Sequence, residues 1–224
     1  MPLFTIELRS IGLEYCAEGD LASLLSRRSL YRHEIRKFAS EIAYGLSFLH
    51  FHRILHEDLK PSNIGLTADF HVRISSFGCS EILLDPFEDS SGQDRFSWDI
   101  GESMSGAYKV LSQQGTLQYS SPEKVLMIPH SFEADWWSYG VVIYEMATGI
   151  VPWYAPEASE LRRMICENPL TVPEGLRPEL DGDTFRFVED LIGSKDPRQR
   201  LGYRGDITEF KSHSFLIKVP EPKL

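Results

Sequence analysis

Between Asp135 and Thr148 the chain places Trp136, Trp137, Val141, Val142, Ile143, Tyr144 and Met146 on nearly every side of a helix. Such a helix has no face to give to water, so it must lie at the centre of a domain with other elements packed around it. Gly149 supplies its C-terminal cap and Pro152 a stop. A second helix is predicted from Tyr31 to Phe51, where Ile35, Phe38, Ala39, Ile42, Leu46 and Leu49 recur at steps of three and four. Shorter helices are expected from Leu21, at Glu157 to Cys166, and at Asp183 to Ile192, where Phe185, Val188, Leu191 and Ile192 form a face. Three stretches have strand character: Leu3 to Cys16, Ile64 to Leu66 and Val72 to Ser75. The fold class is therefore α+β and mainly helical, and 224 residues suffice for one domain with its own core.

Composition excludes several functions. A formal net charge of −10 offers no basic face for nucleic acid. No apolar run approaches the roughly 20 residues of a membrane span, so no membrane partner is expected. Three cysteines, Cys16, Cys79 and Cys166, form no C-x-x-C pair and suit a reducing compartment, cytoplasmic or nuclear, rather than a disulfide or zinc framework.

The chemistry concentrates where the second helix delivers the chain, at His56-Glu57-Asp58-Leu59-Lys60-Pro61-Ser62-Asn63. Phosphoryl transfer needs a carboxylate to orient and deprotonate an attacking hydroxyl, a cation near the transferred group, and oxygen ligands for magnesium. Asp58, Lys60 and Asn63 offer these in one loop; the competing reading is a solvated polar turn.

This loop and four further blocks resemble the C-terminal lobe of eukaryotic Ser/Thr protein kinases, and the resemblance covers nearly the whole chain. The blocks are Ser76-Phe77-Gly78, Gly115 to Glu123, Asp135-Trp136-Trp137-Ser138-Tyr139-Gly140, and Asp196-Pro197-Arg198-Gln199-Arg200-Leu201-Gly202. The Trp pair, Arg200-Leu201-Gly202 and His213-Ser214-Phe215-Leu216 look most like the AGC group near the ribosomal S6 kinases. The resemblance implies a remnant strand and hinge at 1–16, a C-lobe at 17–224, and an extended activation-segment-like loop at about 76–123. It implies ATP and Mg2+ as cofactors and a protein substrate or partner kinase. Asp58 and Lys60 would be catalytic, Glu14 and Cys16 would offer hinge backbone groups to adenine, Asp20 would reach a ribose hydroxyl or substrate arginine, and Asn63 would hold metal. Lys60 and Thr116 point to Ser/Thr rather than Tyr specificity. Glu123 and Arg200 should form a buried ion pair, and Asp135 should hold the catalytic-loop backbone.

Four departures weigh against catalysis. No Gly-rich phosphate loop or strand lysine precedes Glu14, so most of the N-terminal β lobe is expected to be lacking. Ser76 stands at the degraded second metal position, and a neutral hydroxyl is a weak ligand for a hard dication. Glu57 replaces an arginine that would pair with a loop phosphate, and a carboxylate there should repel one. Gly65 removes an apolar contact beneath adenine, worth about 1 kcal/mol. Asp85, Glu88, Asp89 and Asp94 surround Ser90-Ser91, either an acidophilic phosphorylation site or a solvated insert. The functional expectation is a pseudokinase acting through protein binding. The alternatives are a fragment or isoform of an active AGC-type kinase and a truncated product without a function of its own.

Overall fold

A computed structural model of the chain describes residues 14–83, 109–176, 181–204 and 207–216. The helices are α1 (Leu21–Arg27), α2 (Arg32–Phe51), α3 (Pro122–Val125), α4 (Phe132–Thr148), α5 (Ala158–Glu167), α6 (Gly182–Ile192) and α7 (Ile207–Ser212). Among the described residues four short strands, β1 (Ile54–Leu55), β2 (Ile64–Leu66), β3 (Val72–Ile74) and β4 (Glu81–Ile82), form two antiparallel pairs, β1 with β4 and β2 with β3. The domain is mainly helical α+β. Most of the expected strand from Leu3 to Cys16 lies outside the described residues, as do Asp85, Glu88, Asp89, Ser90, Ser91 and Asp94.

The apolar segment is the central helix. Trp136, Trp137, Tyr139, Val141, Val142, Ile143 and Tyr144 of α4 are buried, with α2 and α6 packed against it. Gly140 permits the close approach of α6: a Cβ there would meet Ile192 Cγ2 at 2.6 Å and Leu191 Cβ at 2.9 Å. Gly149 ends the helix at φ +78, a left-handed cap that a residue with a Cβ resists. On α2 the buried face holds Ile35, Phe38, Ala39, Ile42, Leu46 and Leu49. On α6 the prediction needs one correction. Phe187, rather than Phe185, fills the core beside Val188, Leu191 and Ile192, while Phe185 is half-buried. Phe187 stacks on Phe215 with ring centroids 4.8 Å apart, in helical phase with Thr184, Val188, Leu191 and Ile192.

Two arrangements fix the lower half. Trp137 stacks on Trp153 with ring centroids 5.4 Å apart, and the Lys195 Nζ sits 3.9 Å above the Trp153 ring. Next to them Arg200 forks onto Glu123 through bonds of 2.9 and 2.8 Å, and also donates to the carbonyls of Ser194 and Lys195. Both charged side chains are buried, so each satisfies the other where water cannot. This is the ion pair expected from the sequence, and it ties α3 to the turn that follows α6.

Within the expected long loop, sequence reasoning missed β4. Ile82 faces Ile54 and Glu81 faces Leu55, so the chain returns to β1 before residue 84. Two residues are too short for a periodic signal. At the other end Val110 and His130 exchange backbone hydrogen bonds of 2.8 and 3.0 Å.

Candidate functional site

The loop after β1 is held from beneath by α4. Asp135 accepts from the backbone amides of His56 at 2.8 Å and Glu57 at 2.9 Å, and bonds His50 Nε2 at 2.9 Å. Burial alone would raise the Asp135 pKa. The His50 hydrogen bond and charge, with the His56 contribution, more than offset it, and the carboxyl is held below its ordinary value. His56 Nδ1 accepts from the Asp58 amide at 3.3 Å, and its Nε2 donates to the Ser75 carbonyl at 2.9 Å, so this ring is fixed in one tautomer.

Asp58 is the focus of the polar groups. Thr116 Oγ1 donates to its Oδ1 at 2.8 Å, Asn63 Nδ2 donates to its Oδ2 at 3.0 Å, and Lys60 Nζ lies 2.9 Å from Oδ2. Lys60 Nζ also donates to Thr116 Oγ1 at 2.6 Å, closing a three-membered ring of side chains. Burial pushes the Asp58 pKa up, but the bonds from Lys60, Thr116 and Asn63 outweigh it and the pKa is lowered. The carboxylate is therefore ionised at neutral pH. Oδ1 carries one donor and Oδ2 two, which leaves Oδ1 room to accept from a substrate hydroxyl. Gly115 (φ +99) makes this convergence possible, since a Cβ there would strike the Glu57 carbonyl oxygen.

The remaining candidates lie apart from this ring. Segment 16–20 attaches to β2 through Glu18 N to Leu66 O at 3.1 Å and Leu66 N to Gly19 O at 2.8 Å. Glu14 is exposed and paired to Arg73 at 2.7 Å. The Cys16 carbonyl accepts from Gly19 N at 3.1 Å, within a turn. Asp20 caps α1 by accepting from Ser23 N at 2.8 Å, so one of its oxygens already has a structural duty. The expectation for Gly65 changes in detail. A Cβ on Gly65 would strike the Cys16 sulfur, so the thiol fills the space that the missing side chain leaves.

Ser76 is exposed and left-handed, at φ 66 and ψ 59. Among the described residues its hydroxyl has no hydrogen-bond partner, and the adjacent Phe77 stands edge-on to His56 at 5.3 Å. A magnesium ion would have the Asn63 amide oxygen and the Ser76 hydroxyl to bind, with no dedicated carboxylate. Among the described residues no group of three or more His, Cys, Asp or Glu could hold a metal. This donor set fits a hard dication poorly.

The Glu57 carboxylate is buried against Lys124 and His130. Sequence reasoning missed both partners. The available signal was a carboxylate in an arginine position, which demands a cation elsewhere.

A family model for the protein kinase domain matches residues 7–216. Ribosomal protein S6 kinase alpha-3 of Mus musculus and of Homo sapiens are each 32% identical over 214 residues, covering 95% of this chain and 26% of theirs. The probable serine/threonine protein kinase IREH1 of Arabidopsis thaliana is 31% identical over 219 residues, covering 92% of this chain and 17% of its own. The chain thus spans about a quarter or less of the length of these relatives. With the helical core and the ordered loop at Asp58, these matches make the chain a member of the protein kinase domain family.

Proposed function

We propose that this domain is a Ser/Thr protein-kinase-like module that works mainly by binding protein partners, with phosphotransfer weak or absent. The observation that carries the reading is the contrast between the assembled ring around Asp58 and the bare Ser76 hydroxyl beyond β3. In this reading Asp58 is the base, Lys60 the cation beside the transferred group, and Asn63 the surviving metal ligand. Glu14 and Cys16 offer hinge backbone groups to adenine, and Asp20 faces the ribose or a substrate arginine. Residues 1–16 then act as strand and hinge and 17–224 as the C-lobe, in a cytoplasmic or nuclear protein. Among the described residues no helix is long and apolar enough to cross a membrane.

Metal placement neutralises developing phosphate charge and contributes heavily to the rate of phosphoryl transfer. Losing its carboxylate ligand costs rate more than any retained hydrogen bond returns. A second reading, part of an active AGC-type Ser/Thr kinase acting on protein hydroxyls with ATP and Mg2+, is favoured by the bond of Lys60 and Thr116 to each other and to Asp58.

Thermal shift with ATP, with and without magnesium, separates the two. The expected result is no metal-dependent shift at micromolar ATP in the wild type, and its appearance in Ser76→Asp. A metal-dependent shift in the wild type would overturn the binding-module reading.

A further inference from the structure

Glu57 sits one residue before the candidate base, in the left-handed region at φ 70, where a side chain with a Cβ is resisted. Three contacts hold it there. Lys124 Nζ of α3 donates to the Glu57 carbonyl at 2.7 Å and lies 2.5 Å from the carboxylate Oε2. His130 Nε2 meets Oε1 at 2.8 Å. The side chains of Glu57 and His130 are fully buried, and that of Lys124 is 3% exposed. Gly115 lies against the same carbonyl.

The His130 ring has acceptors at both nitrogens: the Glu57 carboxylate at Nε2 and the Ile128 carbonyl, 3.2 Å from Nδ1. A neutral imidazole has one N–H and satisfies one of them, whereas an imidazolium satisfies both. Burial would lower the His130 pKa, but the bond and charge of Glu57 outweigh it and the pKa is raised. The cluster is thus one buried carboxylate between Lys124 and an imidazole whose protonated form it favours. It joins the loop to α3 and, through the backbone pairing of His130 with Val110, to the end of the long segment.

We infer that Lys124 and His130 are positioning residues: acting through Glu57, they hold the left-handed turn that aims Asp58 at a substrate hydroxyl. The role given to Asp58 rests on the function proposed above; the anchoring itself does not. A contact that a kinase loop could take from an added phosphate is here made by groups internal to the fold, one of them protonatable.

Charged groups face His130 from several elements. The loop presents Glu57, while Asp58 is engaged with Lys60, Thr116 and Asn63. α3 presents Lys124, whose charge opposes protonation. On α4, Glu133 accepts from Ser131 N, and Asp135 is occupied by His50 and the amides of His56 and Glu57. Lys109, beside Val110, is exposed. Because the folded pKa is raised, the His130 contribution is complete below the ordinary value of about 6.5 and is lost as pH rises through the folded value.

Hydrogen exchange on the full 224-residue chain, read over 55–66 and over α4, tests the inference. Lys124→Met and His130→Asn should each speed loop exchange by about tenfold or more, with α4 unchanged within about twofold. Lys124→Arg should restore loop protection. In wild type the loop should lose protection relative to α4 as pH rises above about 6.5, and His130→Asn should abolish that dependence. Where Lys124→Met unsettles α4 as well, Glu57→Gln/Lys124→Met removes the unpaired charge; α4 protection should then return and loop protection should not. Loop exchange unchanged in the single variants, or loop and α4 recovering together in the double variant, would overturn the inference. Phosphotransfer to a Ser/Thr peptide is measured in parallel. Robust transfer by wild type would sink the binding-module reading and leave the exchange result to decide the anchoring.

Discussion

The loop from His56 to Asn63 and the segment at Ser76 are separated by a single hairpin, yet they are built in opposite ways. His56, Glu57, Leu59 and Asn63 are buried, and the polar groups of the loop are met by Lys124 of α3, Asp135 of α4, His130 and Thr116. Ser76, Phe77 and Gly78 are exposed, and apart from the Phe77 ring edge-on to His56 they are shaped by backbone. A hydrogen bond made in the interior is expensive to break because the remaining partner is left without water, while an exposed group changes at little cost. The loop is therefore fixed by the energetics of folding whether or not it catalyses. Nothing comparable holds an aspartate at position 76.

The comparison breaks most readily at the loop's supports. Arg200→Ala would strand the Glu123 carboxylate inside the protein, a loss of about 3–5 kcal/mol in chemical denaturation. Asp58→Ala, at a partly open position, should cost less than about 1 kcal/mol while removing whatever phosphotransfer exists. Equal stabilities for the two variants would show that support and chemistry are not divided as described.

Next in size is Asp135. Its pKa is lowered, so its contribution is present above the ordinary carboxylate value and is lost as pH falls through the lower folded value. Asp135→Asn keeps the shape and removes the charge facing His50 and two amides. It should cost about 2–3 kcal/mol at neutral pH and flatten the acid limb of a stability-versus-pH profile measured by urea titration. An unchanged acid limb would place the loop's anchor elsewhere.

The hairpin beside Ser76 offers a milder test. Gly65→Ala drives a Cβ into the Cys16 sulfur and should cost about 1–2 kcal/mol by overpacking. Cys16→Ala in the same chain should recover most of that in a thermal melt. Without recovery, the sulfur is not what fills the space under Gly65.

How much was legible in advance follows the same division. The central and second helices were readable because a period of 3.6 residues persists over many turns, and Asp58, Lys60 and Asn63 because they are close in sequence. Asp135 and the Glu123–Arg200 pair came through family resemblance, not periodicity. Lys124 and His130 were not readable, since they lie 67 and 73 positions beyond Glu57 in the chain. Cys16 against Gly65 was likewise invisible, because a missing side chain leaves no sign of what will occupy its place. β4 was lost for brevity, two residues being indistinguishable from loop.

The smallest expected effect falls on Ser76 itself. A left-handed serine bears a backbone cost that glycine avoids, and its hydroxyl has no partner among the described residues to compensate. Ser76→Gly should therefore stabilise the fold by about 0.5–1 kcal/mol, less whatever glycine adds to the entropy of the unfolded chain. Ser76→Asp should be close to neutral, because aspartate tolerates the left-handed region and its carboxylate would stand in water. Calorimetry at low and high salt checks both. If Ser76→Asp were markedly destabilising, the fold itself would have closed this position to a carboxylate, and the difference between loop and hairpin would be one of enforced shape rather than of lost constraint.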